Sequence, residues 1–377
     1  AQGISLYKLL GLRSEEDSET LHFNFAGNSR VDQFDIIVLD EVSMVGDNDF
    51  DLLIDELKYN YKTKLLIMGD PAQLPPVDQE TDSKAFQIKN CYELREIIRQ
   101  SKDSDIPKYS YYIRQILNSN KVIPISTELP NNNFLRQDIN IIDDSKLFIK
   151  LMLEAFDSPE YKINSDFVKV IAYRNNTIDK INSIIRKMLF GEKNNPIMIG
   201  ENIILNAPVM DEGTGFVMYD TSDELEVRDI LSHHTYKEKR QGVDIEFDYY
   251  LVETRRKYDN KIHIMKIVNP LQRMLFNDMV KKWGKAISKK SMSKIIFRNE
   301  FYPFKKEYHN VSYNYAITSH RSQGSTFNKV FVVEDDIEQV SQASAKNLWQ
   351  SKYVSYTRPS EQLIILNRIK DRKNLKD

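Results

Sequence analysis

"DIIVLDEVSM", Asp35 to Met44, is the stretch on which the fold turns. An apolar run leads straight into two adjacent carboxylates, Asp40 and Glu41. Four to eight apolar residues bounded by turn signals read as a buried strand. The segment that follows, "DNDFDLLIDELKYN", places Phe50, Leu53, Ile54 and Leu57 at the spacing of an amphipathic helix, with Asp47 or Asn48 as its cap. "KLLIMGD" (64–70) is a second buried strand, and "PAQLPPV" (71–77) is a loop, because its three prolines fit neither a helix nor a central strand. "CYELREI" (91–97) reads as a further short strand. Strand, helix, strand in this rhythm predicts a parallel α/β sheet with crossover helices.

Working outward, "DIPKYSYYIRQILNSN" and "DSKLFIKLMLEAF" read as helices, and "FVKVIAYRNNTIDKINSIIRKMLFG" as a strand and a long helix ending at Gly191. From about 200 to 300 the rhythm breaks into short strand-like runs ("NIILNAPVM", "GTGFVMYDT", "ELEVRDI", "IEFDYYLVETRR", "KIHIMKIVN"), which predicts a small all-β module. A basic helical segment, "QRMLFNDMVKKWGKAISKK", closes it. The α/β style returns after His309 with "VSYNYAITS", "KVFVVED" and "QLIILNR". The simplest organisation is a second α/β domain interrupted by a β-rich insertion.

At 377 residues the chain is too long for one compact core, and 41% hydrophobic with 29% charged residues is an ordinary globular composition. No apolar run is long enough to span a bilayer, no secretory leader is visible, and the single cysteine, Cys91, cannot form an internal disulfide. These readings give the expectation of a cytoplasmic protein without a membrane partner. The net charge is −2, yet Lys281 to Lys306 carries nine basic residues against one acid, Glu300. Such a run is either a solvated face or a set of phosphate-backbone contacts, with Lys281, Lys282, Lys289 and Lys290 the candidates.

Parallel strands present ligand sites at their carboxyl ends. An Asp there can hold Mg²⁺ through its hard oxygens, and a neighbouring Glu can orient and deprotonate water. The second strand ends in Gly69-Asp70 with Gln73 just beyond, and a glutamine beside a γ-phosphate can align water and sense the phosphate.

"VLDEVSM" and "GDPAQLPPV" resemble motifs II and III of superfamily 1 helicases, specifically the RecD-like and phage Dda-like 5′→3′ group, superfamily 1B. "ELREIIRQ" resembles motif IV, with Arg99 its arginine. "VIAYRNNTIDKIN" resembles the opening of the second motor domain, "YAITSHRSQGSTFNKVFV" motif V, and "YVSYTRPSEQLIIL" motif VI with Arg358. Two departures stand out: Arg321 replaces a more usual lysine, and Pro359 a more usual small residue. The resemblance implies two RecA-like parallel-sheet motor domains, the first N-terminally truncated, with an SH3-like all-β insertion in the second. The implied boundaries are 1–101 (first domain, with a remnant hairpin region), 102–200 and 301–377 (second domain), and 201–300 (insertion).

It further implies ATP and Mg²⁺ as cofactors and single-stranded DNA as partner. Asp40 would bind Mg²⁺, Glu41 activate water, Gln73 sense the γ-phosphate, and Arg99 and Arg358 neutralise transition-state charge. Gly69, Asp70, Gln323 and Gly324 would line the nucleotide, and Pro75, Thr318 and His320 the DNA. A motor of this type also needs a Gly-x-x-x-x-Gly-Lys-Ser/Thr phosphate loop, and no Gly-Lys-Ser or Gly-Lys-Thr occurs in the chain. "GISLYKLLGL" resembles the helix after the loop-bearing region, with Ser5 and Tyr7 in place of the usual residues. The expectation is that the chain starts after the phosphate loop and works with a preceding segment or a complementary chain that carries it, alone hydrolysing little ATP. The alternative is a non-catalytic single-strand-binding or scaffold subunit on a helicase fold. The Dda-like character suggests a bacterial or phage-infected cell, or a virion, as the setting.

Overall fold

The structure, a computed structural model, describes residues 3–15, 22–25, 29–76, 79, 81–101, 103–119, 138–192, 195–211, 217–339 and 344–368. The chain divides into two compact units, 1–37 with 52–64 and 193–314, and 38–51 with 65–192 and 315–377.

The second of these units is built on a five-stranded sheet. Its order is Ala316–Thr318, Val168–Ala172, Phe327–Val333, Pro359–Leu366 and Ile139–Ile142. Every neighbouring pair is parallel. The Val168–Ala172 strand is buried at all five positions, as a strand covered on both faces must be. Helices Ile106–Leu117, Ser145–Phe156, Asn175–Phe190 and Ala345–Thr357 accompany the sheet. Asp144 caps the second of these through the Lys146 N–H at 2.7 Å, and Gly191 ends the third at φ 86°. The core joins Ile171, Val330, Val332, Leu363 and Ile365 of the strands to Ile106, Ile113, Leu348 and Trp349 of the helices.

The strand predicted from "DIIVLDE" is Ile36–Leu39, and its partner is Lys64–Ile67. Lys64 N donates to Asp35 O at 2.8 Å and Met68 N to Leu39 O at 2.8 Å, so the two strands run parallel. Helix Asp47–Tyr59 connects them. Its first N–H bond to a preceding carbonyl runs from Phe50 to Gly46, so Asp47 and Asn48 lie inside the helix rather than capping it. The Asp47 carboxylate instead accepts the Lys84 N–H at 3.0 Å.

Neither strand is buried as expected, since Ile36–Leu39 and Lys64–Ile67 each expose alternate residues, and two further expectations fail. Residues 91–97 form no strand, because the two-stranded sheet offers no neighbour to pair with among the described residues; Tyr92 and Leu94 stand fully in solvent. The runs between 224 and 256 are not short strands. They are one hairpin of 17 and 14 residues, Glu224–Arg240 and Val243–Arg256. The polar stretch "SHHTYKEKR" reads as loop by composition, but ring pairs across the ribbon hold it extended: His233 on Tyr250, His234 on Tyr249, Tyr236 on Phe247. Gln241 and Gly242 both have positive φ, the type I′ geometry that suits a two-residue hairpin.

That hairpin centres the six-stranded sheet of the other unit, ordered Tyr308–His309, Ile262–Val268, Val243–Arg256, Glu224–Arg240, Asn202–Leu205 and Val311–Tyr313. The basic helix is found at Arg273–Ser288 and buries Phe276, Val280, Trp283 and Ile287 in a cluster with Phe247, Phe301 and Phe304. A β-rich segment therefore does interrupt the α/β chain, and the parallel sheet resumes at Ala316.

Candidate active site

All nine residues expected at the nucleotide lie in the parallel-sheet unit. The chain leaves the Ile36–Leu39 strand at Asp40 and turns sharply at Glu41, whose φ of 49° and ψ of 42° are left-handed. A non-glycine residue held there is a strained position, of the kind that clusters at functional sites. The turn is fixed from both sides. Val42 N donates to Met68 O at 3.0 Å, and Asp40 Oδ1 accepts the Glu41 N–H at 2.8 Å. Gly69 permits the approach, since a Cβ there would sit 2.6 Å from Val42 Cγ1 and 3.2 Å from Val42 N. The first acidic motif and the second glycine motif are thus one packed junction.

Asp70 is held by groups that no motif announced. Tyr353 Oη donates to its Oδ2 at 2.7 Å, Arg114 pairs with its Oδ1, and Ala72 N donates to Oδ1 at 3.0 Å. Arg114 sits on the polar side of an amphipathic helix, where sequence offers no signal. Tyr353 lies inside the quoted motif VI stretch but reads as core.

Gln73 and Gln323 meet, Gln323 Nε2 donating to Gln73 Oε1 at 3.5 Å and to Leu74 O at 3.3 Å. Gly324 has φ 74°, and a Cβ there would lie 3.6 Å from Glu41 Oε1. Gln100 anchors the motif IV tail by donating to Pro359 O at 2.7 Å, and its neighbour Arg99 donates from Nη1 to Thr357 O at 2.9 Å. That docking sets Arg99 beside Arg358. Arg358 is buried, with Nε on Val354 O at 3.0 Å, Nη1 on Ser325 O at 3.3 Å and Nη2 on Thr357 Oγ1 at 2.9 Å. A guanidinium has five N–H donors, so two stay open among the described residues.

The electrostatics follow from this crowding. Burial raises the Glu41 pKa above the ordinary carboxylate value, the charge of Arg358 opposing it most and that of Arg99 less. Arg358 is pulled down to about 10 by burial and then by the like charge of Arg99. Arg99 is lowered by desolvation, with Glu41 opposing. Two crowded cations facing one partly protonatable carboxylate favour an added anion and a proton acceptor at the same spot.

The residues expected at nucleic acid are dispersed. Thr318 ends its strand and accepts the Arg321 N–H at 3.3 Å. Burial lowers the His320 pKa, which keeps the ring neutral near pH 7. Pro75 is buried, so it stiffens the loop rather than offering a surface. Lys281, Lys282, Lys289 and Lys290 are exposed in the other unit, and Lys282 is paired with Asp278 at 2.7 Å.

A family model described as an AAA domain matches residues 5–120. An uncharacterised protein of Acanthamoeba polyphaga mimivirus is 27% identical over 383 aligned residues, covering 87% of this chain and 74% of that protein. Among solved structures, Pif1 helicases described as coordinating DNA unwinding at forked duplexes superpose with a TM-score of 0.50 at 15% identity, over 96% of this chain and 78% of theirs. The Pif1 helicase of Candida albicans gives 0.48 at 14% identity, over 92% and 77%. Bacteroides Pif1 with ADP-AlF3 and single-stranded DNA gives 0.47 at 15%, over 99% and 83%. What the superposition at 0.50 shows is the fold: a parallel-sheet α/β fold that fits two RecA-like parts.

Proposed function

We propose that the chain is the greater part of an ATP-driven DNA helicase that moves along single-stranded DNA, 5′→3′. The observation that carries this reading is the grouping of Glu41 with Asp40, Gly324 and the Arg99–Arg358 pair. In it Glu41 is the general base. Its raised pKa suits a group that must take a proton from water near neutrality. Arg99 and Arg358 supply bidentate charge at the transferred phosphoryl group. Gln73, already hydrogen-bonded to Gln323, reports the γ-phosphate to motif V. Gly69 and Gly324 let backbone approach the nucleotide, and the link from Asp70 to Arg114 and Tyr353 holds the loop that bears Gln73.

ATP supplies the phosphoryl group, and Mg²⁺ neutralises charge on it. Asp40 suits that ion. It is exposed, only its Oδ1 is engaged, and no cluster of three or more metal-ligating side chains exists among the described residues. A lone carboxylate is what Mg²⁺ asks of a protein when phosphates and waters complete its shell. Thr318, His320 and the lysines Lys281, Lys282, Lys289 and Lys290 are the nucleic-acid contacts of this reading. The insertion is its SH3-like module, and the boundaries 1–101, 102–200, 201–300 and 301–377 are its domains. This reading requires a phosphate loop of a kind that residues 1–377 do not carry. The mimivirus relative supports a viral source in this reading.

The test is phosphate release stimulated by single-stranded DNA, with the chain alone and mixed with a segment carrying a Gly-x-x-x-x-Gly-Lys-Ser/Thr loop. Stimulated turnover on mixing, lost by about 10²–10⁴-fold in Glu41→Gln, is the expected result. Turnover indifferent to Glu41→Gln would make the chain a binding module on a motor fold.

A further inference from the structure

The parallel-sheet site leaves one cavity of the other unit unused. It has a volume of about 430 Å³, within the ~300–1,000 Å³ of small-ligand sites. Helix Arg273–Ser288 forms one wall and the chain from Phe301 to Asn310 the other. Its apolar side is Phe276, Val280, Phe301 and Tyr308. Gly284 lines it from the middle of the helix, where glycine is less favourable than alanine. The missing side chain leaves room at that cost.

The rim is a chain of amides. Asn206 Nδ2 donates to Asn310 Oδ1 at 3.0 Å, and Asn310 Nδ2 donates to Asn277 Oδ1 at 2.7 Å. Ser312 Oγ holds Asn206 from behind at 3.1 Å, and Arg273 holds Ser312 at 2.7 Å. The Asn277 amide donor has no partner among the described residues. His309 also lines the cavity. Burial lowers its pKa to about 4, so its neutral ring offers one donor and one acceptor at pH 7. Lys281 and Lys305 are the two cations, neither with an ion-pair partner among the described residues, and no carboxylate lines the cavity. Lys305 sits 5.5 Å from the centroid of the Phe301 ring.

An apolar wall, a row of fixed amides and two unpaired cations are what a base, its polar edge and its phosphate require. We infer that this cavity receives a single nucleotide unit of a nucleic-acid strand, its base against the apolar wall and asparagine edge and its phosphate on Lys281 and Lys305. The contact captures a base together with its phosphate, where a backbone contact alone would hold only the phosphate. It rests on the motor reading only for taking a strand in preference to a free nucleotide.

The experiment needs no ATP. An oligodeoxynucleotide carrying one 5-iodouracil is irradiated with the full chain, and the crosslinked peptide is located by mass spectrometry. The crosslink should fall within 273–310, and Gly284→Leu, which fills the cavity, should cut it at least fivefold. Asn277→Asp, at an exposed position that leaves the fold intact, should weaken it as well by placing an anion at the mouth. Competition by dTMP at concentrations where inorganic phosphate has no effect identifies a site for base and phosphate together. Competition by phosphate to the same degree would reduce the cavity to an anion hole and overturn the inference. So would a crosslink outside the cavity, or one that survives both variants. Loss of stimulated ATP hydrolysis with the crosslink intact would sink the motor reading and leave this one standing.

Discussion

Glu41 combines three features in one residue: a left-handed backbone, a raised pKa and two arginines in view. A base works only when deprotonated, so stimulated hydrolysis should fall as pH drops through the raised Glu41 pKa. Arg99→Gln removes a charge that lowers this pKa, and the acid limb should then move to higher pH in a pH–rate profile. A limb unmoved by Arg99→Gln would separate the arginine from the base. Gly69 makes a different kind of demand. A methyl group there would meet Val42 Cγ1 at 2.6 Å, so Gly69→Ala should destabilise by about 1–3 kcal/mol in urea unfolding. Much of this site was legible in the sequence because Asp40, Glu41, Gln73 and Arg358 sit in short contiguous motifs. Arg114 and Tyr353 were not, because their partner Asp70 is far away in sequence and becomes a neighbour only through the packing of helices Ile106–Leu117 and Ala345–Thr357.

Among the elements, helix Asn175–Phe190 shows how a terminus can be satisfied from outside. Its own N-cap, Arg174, contributes no side-chain cap. Asp336, from the short helix Glu334–Ile337, does the work instead. It accepts from Tyr173 N at 2.9 Å, Arg174 N at 2.7 Å, and Thr177 Oγ1 and Arg174 Nε at 2.6 Å. Burial alone would raise the Asp336 pKa, but these bonds win and lower it. A lowered folded-state pKa stabilises above the unfolded carboxylate value, near 3.9, and that stability is lost as pH falls through the folded one. Asp336→Ala should therefore cost about 1–3 kcal/mol at pH 7 and flatten the acid arm of the stability curve, as thermal melts across pH would record. Helices and the fully covered strand Val168–Ala172 were readable from periodicity, whereas Ile36–Leu39 and Lys64–Ile67, whose apolar runs read as buried, each expose alternate residues. The Glu224–Arg240 strand was not, because its outer half is a polar ribbon held by rings on the opposite strand, and no local window contains both members of such a pair.

At the scale of the whole molecule, the chain passes repeatedly between its two units. Yet the six-stranded sheet and both of its apolar clusters lie wholly within 193–314. That fragment should fold alone, with a cooperative melt and a β-rich circular dichroism spectrum. Residues 38–192 should not, since three strands of the parallel sheet, Ala316–Thr318, Phe327–Val333 and Pro359–Leu366, arrive only after 315. A fragment 193–314 without a cooperative melt would mean that its sheet depends on the rest of the chain. One further consequence concerns behaviour in the test tube. The paired strands Ile36–Leu39 and Lys64–Ile67 turn Ile36, Val38 and Leu66 outward, at 63%, 52% and 53% exposure. Uncovered apolar strands are templates for adhesion between molecules. Purified protein should therefore form concentration-dependent oligomers in sedimentation velocity, and Leu66→Lys should shift the distribution toward the monomer and raise soluble yield.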